Sequence, residues 1–129
     1  MTCFCRFVEN LNDLTSMKRD EGDLLVSQLF GDGRRRTLRL TSGNLSRLRD
    51  NWEDLLNACK EAKKDKLVDF EVALGDRVKV SVSTDFPNLH FRRWRLPAWN
   101  GQVLPGGHGF VLFDQDFPIF EKNVKLFLQ

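Results

Sequence analysis

Strict alternation of apolar and polar side chains marks the segment from Arg77 to Thr84, where three valines face one way and a lysine and two serines face the other. Period two over this length is typical of a strand with one buried and one solvated face. Turn residues at Gly75-Asp76 and at Pro87 bound this strand on its two sides. The same pattern predicts three further strands in this half of the chain, over residues 68–74, 89–96 and 108–113.

A helix should close the chain. Asp114 or Asp116 can cap it, and Pro118 falls in its first turn, where a missing N–H is harmless. Its apolar residues recur at helical spacing, at Phe117, Phe120, Val124 and Phe127. We expect this stripe to pack on the sheet.

The first half repeats this order in a weaker form. Strands are predicted over residues 3–8, 24–30 and 35–41, with an irregular polar connection from Glu9 to Gly22. One long helix, capped by Ser42 or Asn44, should follow over residues 42–64 with an apolar stripe at helical spacing. We therefore predict an α+β fold of two degenerate strands-then-helix repeats, residues 1–64 and 65–129.

Composition and cysteine usage limit the class of protein. With 41% hydrophobic and 29% charged residues over 129 positions, the chain should form one globular domain or two small subdomains with a shared core. Its three cysteines lack metal-ligand spacing, no apolar run reaches membrane-spanning length, and Met1 to Val8 does not resemble a secretory leader. We therefore expect an intracellular protein, nuclear or cytoplasmic, with reduced thiols and no metal or cofactor.

Catalytic patterns are missing from the sequence. It has no Gly-rich phosphate loop between a strand and a helix, and no Ser-His-Asp or Cys-His set at meaningful spacing. Asp114 and Asp116 are paired carboxylates, but their place at a helix start is explained by capping. An enzyme is therefore not expected.

Positive charge is concentrated, although the net charge is only +2. Two groups of closely spaced arginines stand out, namely Arg34, Arg35, Arg36 and Arg39 in the first half and Arg92, Arg93 and Arg95 in the second. Local basic clusters in a near-neutral chain are typical of a site for a polyanion. Solvated surface is the alternative interpretation for either cluster alone.

The strand predicted over residues 89–96 offers the right chemistry for nucleic acid. Arg92 and Trp94 share the face opposite Leu89 and Phe91. A guanidinium and an indole on an open sheet suit unpaired bases and their phosphates, because stacking contributes about 1–3 kcal/mol per base with little sequence preference. Packing in the core or at a dimer interface is the alternative for Trp94 and for Phe86.

In order and spacing, the segments RVKVSVSTDF, LHFRRW, NG and LPGGHGFVL resemble the single-stranded nucleic-acid-binding domain of the positive cofactor four family of transcriptional coactivators. The resemblance covers residues 70–128. It implies a curved antiparallel sheet packed by a long helix, a dimer, and binding of single-stranded DNA or RNA by strand faces and hairpin loops, with Phe86 as a stacking aromatic. The hairpin at Leu104 to His108 differs, because it has no permanent charge where the family carries lysines and arginines.

A second, weaker likeness concerns the first half. The segment RRRTLRLTSGNLSRLRDNWEDLL is similar in its strand, cap and helix to the purine-rich-element-binding and Whirly proteins, which place two such repeats in one chain. This likeness extends to the fold only. It implies an intrachain pseudo-dimer as the alternative to a homodimer.

Together these features predict a single-stranded nucleic-acid-binding protein of transcription or replication type. Phosphate contacts are assigned to Arg34, Arg35, Arg36, Arg39, Lys79, Arg92, Arg93 and Arg95, and base stacking to Phe86 and Trp94. The arginines of the first half would supply the charge that the hairpin lacks. The alternative is a protein-interaction or scaffolding domain that kept the fold and lost the nucleic-acid site, with a protein of the transcription machinery as its partner.

Overall fold

The computed structural model describes residues 10–95 and 104–129, and for Arg95 and residues 104–108 it describes the backbone only. In the first half the elements are β1 (Thr15–Asp20), β2 (Asp23–Leu29), β3 (Arg35–Leu40), α1 (Ser42–Asp50) and α2 (Trp52–Lys63). In the second half they are β4 (Asp69–Gly75), β5 (Val78–Ser83), β6 (Phe86–Arg95), β7 (Leu104–Leu112) and α3 (Phe117–Phe127). The predicted α+β class, with helices that follow strands, is confirmed.

Each half contributes one antiparallel meander. The first sheet has the order β1-β2-β3 and the second the order β4-β5-β6-β7. Two hairpins, β1–β2 and β4–β5, turn through residue pairs with positive φ, Glu21-Gly22 and Asp76-Arg77. Two successive residues at positive φ give a turn whose twist matches that of the strands it joins, so both hairpins are tight.

The structure places β1 where the sequence predicts an irregular connection, and that prediction is wrong for Thr15 to Asp20. β1 lies at an edge of the described sheet, and only Thr15 and Met17 are buried. An edge strand with so few buried side chains is mostly polar, so its alternation is too weak to recognise. The strand predicted over residues 3–8 lies outside the described residues.

The start of β6 also differs from the prediction. The turn lies at Thr84-Asp85 rather than at Pro87, and the strand begins at Phe86. Pro87 is accommodated because it has no partner in the ladder with β5 or in the ladder with β7, so its missing N–H breaks no pairing. The next strand, β7, likewise starts before the predicted residue 108, at Leu104.

The long helix predicted over residues 42–64 is two helices, separated at Asn51. The Asn51 side chain donates to the carbonyl oxygen of Arg47 at 2.8 Å. A side chain that bonds back to the preceding turn competes with the helical ladder, which accounts for the break. No helix in the described part of the chain is long and apolar enough to cross a membrane.

α1 and α2 cover the sheet of the other half. α1 packs against β4, and α2 packs against β5 and β6. Their buried apolar residues are Leu45, Leu48, Trp52, Leu55, Cys59 and Ala62. With residues of both sheets and of α3 they form one hydrophobic cluster, so the two halves share a single core.

Asn44, at the start of α1, holds this helix against the second sheet. The N-cap is Thr41 rather than Ser42 or Asn44, and the side chains of Thr41 and Asn44 each accept from the backbone N–H of the other. The Asn44 amide also donates to the carbonyl oxygens of Leu74 at 2.8 Å and Gly75 at 3.1 Å in β4. One buried side chain therefore caps the helix and anchors it to the second sheet.

The cap predicted for α3 has a different role. Asp116 precedes α3, but its side chain makes no capping hydrogen bond. Instead, its carboxylate accepts from the side chain of Asn12 at 2.8 Å. Asp114 begins a short 3-10 turn and forms an ion pair with Lys63 at the end of α2. Both carboxylates therefore hold α3 to neighbouring segments of the first half.

The buried Gln28 side chain of β2 joins the first sheet to β7, the last strand of the second sheet. Its side-chain Nε2 donates to the carbonyl oxygen of Val111 at 2.9 Å, and the Val111 N–H donates back to Oε1 at 2.9 Å. Nε2 also donates to the hydroxyl of Thr15 at 2.8 Å. The carboxamide thus acts as a peptide group for β7, whose outer edge has no strand partner in the described sheet.

Replacing Asn44 by alanine should lower the free energy of unfolding by about 1–3 kcal/mol, because two β4 carbonyls lose a donor and the α1 cap loses its partner. Urea denaturation followed by far-UV circular dichroism measures this loss. Asn57→Ala, at an exposed position of α2, is the matched control and should change little. Equal midpoints for the two variants would contradict the anchoring role of Asn44.

Candidate nucleic-acid interface

The outer face of β6 carries three of the side chains that nucleic acid could contact. His90, Arg92 and Trp94 are half-buried on this face. On the inner face, Phe91 is fully buried and stacks on Phe110 of β7, with ring centroids 4.6 Å apart. Because successive side chains of a strand point to opposite faces, this inner packing directs the other three outward.

Phe86 and His90 form a stacked pair on the outer face. Their ring centroids lie 5.6 Å apart, and Phe86 is 46% exposed. The Arg92 Nη2 lies 3.1 Å from the Nε2 of His90, and because a guanidinium can only donate, the imidazole accepts there in its neutral form. Burial, and after it the charge of Arg92, lowers the pKa of His90.

A cavity of about 200 Å³ opens beside this pair. Residues of both halves line it, namely Phe30 and Arg36 from the first and Phe86, His90, Arg92, Gly109 and Val111 from the second. It therefore combines an exposed aromatic ring, two guanidinium groups and a neutral imidazole. We call it the interface cavity.

Arg36 reaches the interface cavity from β3. Its guanidinium carbon lies 4.5 Å from the centre of the Phe30 ring, and its Nη2 lies 3.4 Å from the Asp32 carboxylate. The Arg36 and Asp32 side chains are both well exposed, so their pair contributes little and a phosphate can compete for the guanidinium. Arg92 forms no ion pair with a carboxylate within the described ranges.

Gly109 lines the interface cavity with its backbone only, because it has no side chain. It pairs with Arg92 in the ladder between β6 and β7. A Cβ at this position would lie 2.5 Å from the carbonyl oxygen of Phe91, a distance that Cβ atoms in proteins essentially never show. The close approach of the two backbones therefore requires glycine.

Lys79 and Trp94 form a second cation–aromatic pair on the same face. The Lys79 Nζ lies 5.4 Å from the centre of the Trp94 ring and 3.3 Å from the Glu71 carboxylate. Lys79 pairs with Arg92 in the ladder between β5 and β6, so this pair adjoins the interface cavity. The predicted residues Lys79, Arg92 and Trp94 thus share one surface.

Two predicted phosphate contacts are held by other partners. Arg39 lies on the outer face of the first sheet, 2.6 Å from the Asp20 carboxylate and 2.9 Å from that of Asp23, and hydrogen bonds to these two carboxylates raise its pKa. Arg93 points to the opposite face from Arg92 and donates to the carbonyl oxygens of Arg39 at 2.9 Å and Asp76 at 3.2 Å. Neither residue lines the interface cavity.

The remaining predicted arginines take three different positions. Arg34 is exposed in the turn between β2 and β3, where its backbone N–H donates to the Asp32 carboxylate at 2.9 Å. Arg35 lies against Ser27 on the outer face of the first sheet, at 3.4 Å from its hydroxyl and from its carbonyl oxygen. The side chain of Arg95 lies outside the described part of the structure.

Sequence reasoning missed four residues of the interface cavity, Phe30, His90, Gly109 and Val111. His90 shares the predicted face with Arg92 and Trp94, so strand alternation contained the signal for it. Gly109 carried the weaker signal of a glycine inside a strand. Phe30 reaches the site only through the contact between the two sheets, which no local pattern reveals.

Metal-ligating and nucleophilic side chains were also located in the described part of the chain. Among the described residues, no group of three or more His, Cys, Asp or Glu side chains could hold a metal ion. Cys59 is buried in the core, and this burial raises its pKa to about 11, so its thiol is protonated at neutral pH. The interface cavity itself offers an exposed aromatic ring and two guanidinium groups to a ligand.

Gly109→Ala should lower the free energy of unfolding by about 1–3 kcal/mol, because the added methyl forces the β6 and β7 backbones apart. Gly31→Ala is the matched control, since a Cβ there meets no atom within 4 Å and the backbone φ is not positive. Urea denaturation of both variants makes the comparison. A Gly109→Ala variant as stable as the control would exclude the close approach described above.

His90 should titrate below its usual value of 6.5 in the folded protein. The unfolded chain then binds the proton more tightly, so stability is lost as the pH falls below 6.5 toward the lowered pKa. Histidine NMR signals, assigned with a His108→Gln variant, give the midpoint. Arg92→Gln should raise it only part of the way, because burial is the larger cause. A midpoint at or above 6.5 would contradict this environment.

Comparison with protein-family models, with curated proteins and with solved structures found no match for this chain. The resemblances stated from the sequence therefore remain predictions. The geometry of the interface cavity and its neighbouring side chains is the basis for a functional assignment.

Proposed function

We propose that the protein binds single-stranded nucleic acid, with a base on Phe86 and phosphates at Arg36 and Arg92. One observation carries the proposal: an exposed phenylalanine, stacked on a neutral histidine, faces the same small cavity as two guanidinium groups. At about 200 Å³, this cavity is smaller than a typical small-molecule pocket of roughly 300–1,000 Å³, which suits one base of a longer strand.

Stacking explains why single strands are the preferred ligand. A base can lie on the outer side of the Phe86 ring only when its own face is free, and in a duplex that face is covered by the next base pair. His90 stacks on one face of the Phe86 ring, so this ring is already oriented before a ligand binds to its other face. The surface therefore selects unpaired bases without reading their sequence.

Charge supplies the second part of the interaction. Arg92 has no carboxylate partner among the described residues, and Arg36 shares only an exposed pair with Asp32. Lys79, near Trp94, adds a third cation on the same face. Phosphates bound here release counterions, so affinity should depend on salt. A role in transcription or replication, on DNA or RNA, is part of this proposal.

The single core shared by both halves bears on the oligomeric state. α1 and α2 of the first half cover the second sheet, and this supports an intrachain pseudo-dimer rather than an obligate homodimer. In this arrangement one chain is sufficient for binding.

A second function is favoured by a different part of the surface. Leu14 and Phe113 are 53% and 42% exposed and line one shallow depression beside Gln28. Neighbouring exposed apolar side chains are typical of contacts with another protein. A protein-interaction role, with a transcription-machinery protein as partner, is therefore the alternative candidate.

Phe86→Ala should weaken binding of a short single-stranded oligonucleotide by about 1–3 kcal/mol, roughly five- to 150-fold, because one base loses its stacking surface. Fluorescence anisotropy with labelled oligothymidylate and oligouridylate measures the affinity, and a duplex of the same length should bind more weakly. Phe113→Ala removes an equally exposed ring outside the interface cavity and is the control. Equal affinity of the two variants would refute the proposed site.

Arg92→Gln tests the charge at the same site by two readouts. If Arg92 contacts one phosphate, the salt dependence of binding should fall by about 0.7 in the slope of log K against log salt. In the unsubstituted protein, a bound phosphate should also raise the pKa of His90, since it adds a negative charge beside the imidazole. An unchanged slope together with an unchanged His90 titration would count against phosphate binding here.

A further inference from the structure

The outer face of the first sheet carries a row of hydroxyl groups. Ser16 pairs with Ser27, and Ser27 pairs with Thr37, so three hydroxyl side chains lie side by side across β1, β2 and β3. The Thr37 hydroxyl is 3.3 Å from that of Ser27. None of the three side chains is buried, so the row forms a polar floor on this face.

A groove of about 400 Å³ lies over this floor, lined by Ser16, Met17, Lys18, Leu25, Ser27 and Thr37. We call it the hydroxyl groove. Lys18 is one of its lining residues, and Arg35 contacts Ser27 with its guanidinium. Neither Lys18 nor Arg35 forms an ion pair with a carboxylate in the described part of the chain. Two available cations beside hydroxyl donors are suited to phosphate oxygens.

The arginine run at the start of β3 connects this groove with the interface cavity. Arg35 and Arg36 are successive strand residues, so they point to opposite faces of the first sheet. Arg35 lies against the hydroxyl groove, whereas Arg36 lines the interface cavity. Arg34, exposed in the turn, directly precedes both residues.

We infer that the hydroxyl groove is a second contact surface for the same single strand of nucleic acid, which leaves the interface cavity and passes over the turn between β2 and β3. Among the described residues, its lining contains no aromatic ring. It therefore holds the sugar-phosphate backbone through Lys18, Arg35 and the hydroxyl row and does not stack bases. This inference rests on the proposed function of the interface cavity.

The test is the double variant Lys18→Gln/Arg35→Gln, studied by anisotropy at several salt concentrations with oligothymidylates of about 5 and about 20 nucleotides, one near the lower end of the usual range of site sizes and one above it. For the longer oligonucleotide the slope of log K against log salt should become less negative by about 1.4, since two phosphate contacts are lost. The shorter one, bound by one base at the interface cavity, is expected to end before the hydroxyl groove, so its slope should stay unchanged. The control Lys60→Gln/Lys64→Gln removes the same charge from two exposed positions, one in α2 and one directly after it.

The outcomes separate the two proposals. If Phe86→Ala weakens binding but the double variant has the salt slope of its control on the longer oligonucleotide, the groove is overturned and the interface cavity stands. If the double variant weakens both lengths equally, its effect is general and the groove is also overturned. If the unsubstituted protein binds neither oligonucleotide, both proposals fail. Circular dichroism of each variant checks that the fold is kept.

Discussion

The pairing of the Gln28 side chain with the main chain of Val111 is the contact on which the candidate interface depends. β7 ends its sheet in the described structure with unpaired peptide groups, and a buried carboxamide from the other sheet meets them. Gln28 pairs with Arg36 in the ladder between β2 and β3. Holding Gln28 against β7 therefore also holds Arg36 beside the outer face of the second sheet, so that a cavity with walls from both halves can form.

Much of the fold follows from local patterns, and the exceptions have physical causes. β5 is recognisable because its valines are buried on one face only, whereas β1 is hidden because just two of its side chains are buried. Asn51 breaks the first long helix through a bond to a neighbouring carbonyl, which apolar periodicity does not register. Nor does periodicity indicate which sheet a helix covers, because an apolar stripe carries no information about its partner, whereas the polar anchor at Asn44 holds α1 to the second sheet.

Some residues of the candidate site could likewise be predicted from local patterns, and others could not. Arg92 and Trp94 could be predicted to lie together because two residues of one strand share a face whatever the rest of the chain does. Phe30 and Arg36 join them only through contacts between distant segments, which sequence spacing does not encode. Local positive charge also predicted phosphate contacts at residues that do not line the interface cavity. Arg39 and Arg93 belong to basic clusters, but nearby carboxylates and carbonyl oxygens hold their guanidinium groups in place.

The packing of α1 and α2 on the sheet of the second half has a consequence for folding during synthesis. α1 and α2 leave the ribosome before β4, β5 and β6, the strands that they cover, have been made. Until these strands emerge, Leu48, Trp52 and Leu55 lack the sheet that they cover in the folded protein, and exposed apolar surfaces of this kind are the ones that chaperones bind on nascent chains. The first half must therefore wait for the second. A chain released early would display an apolar helix pair in place of a folded fragment.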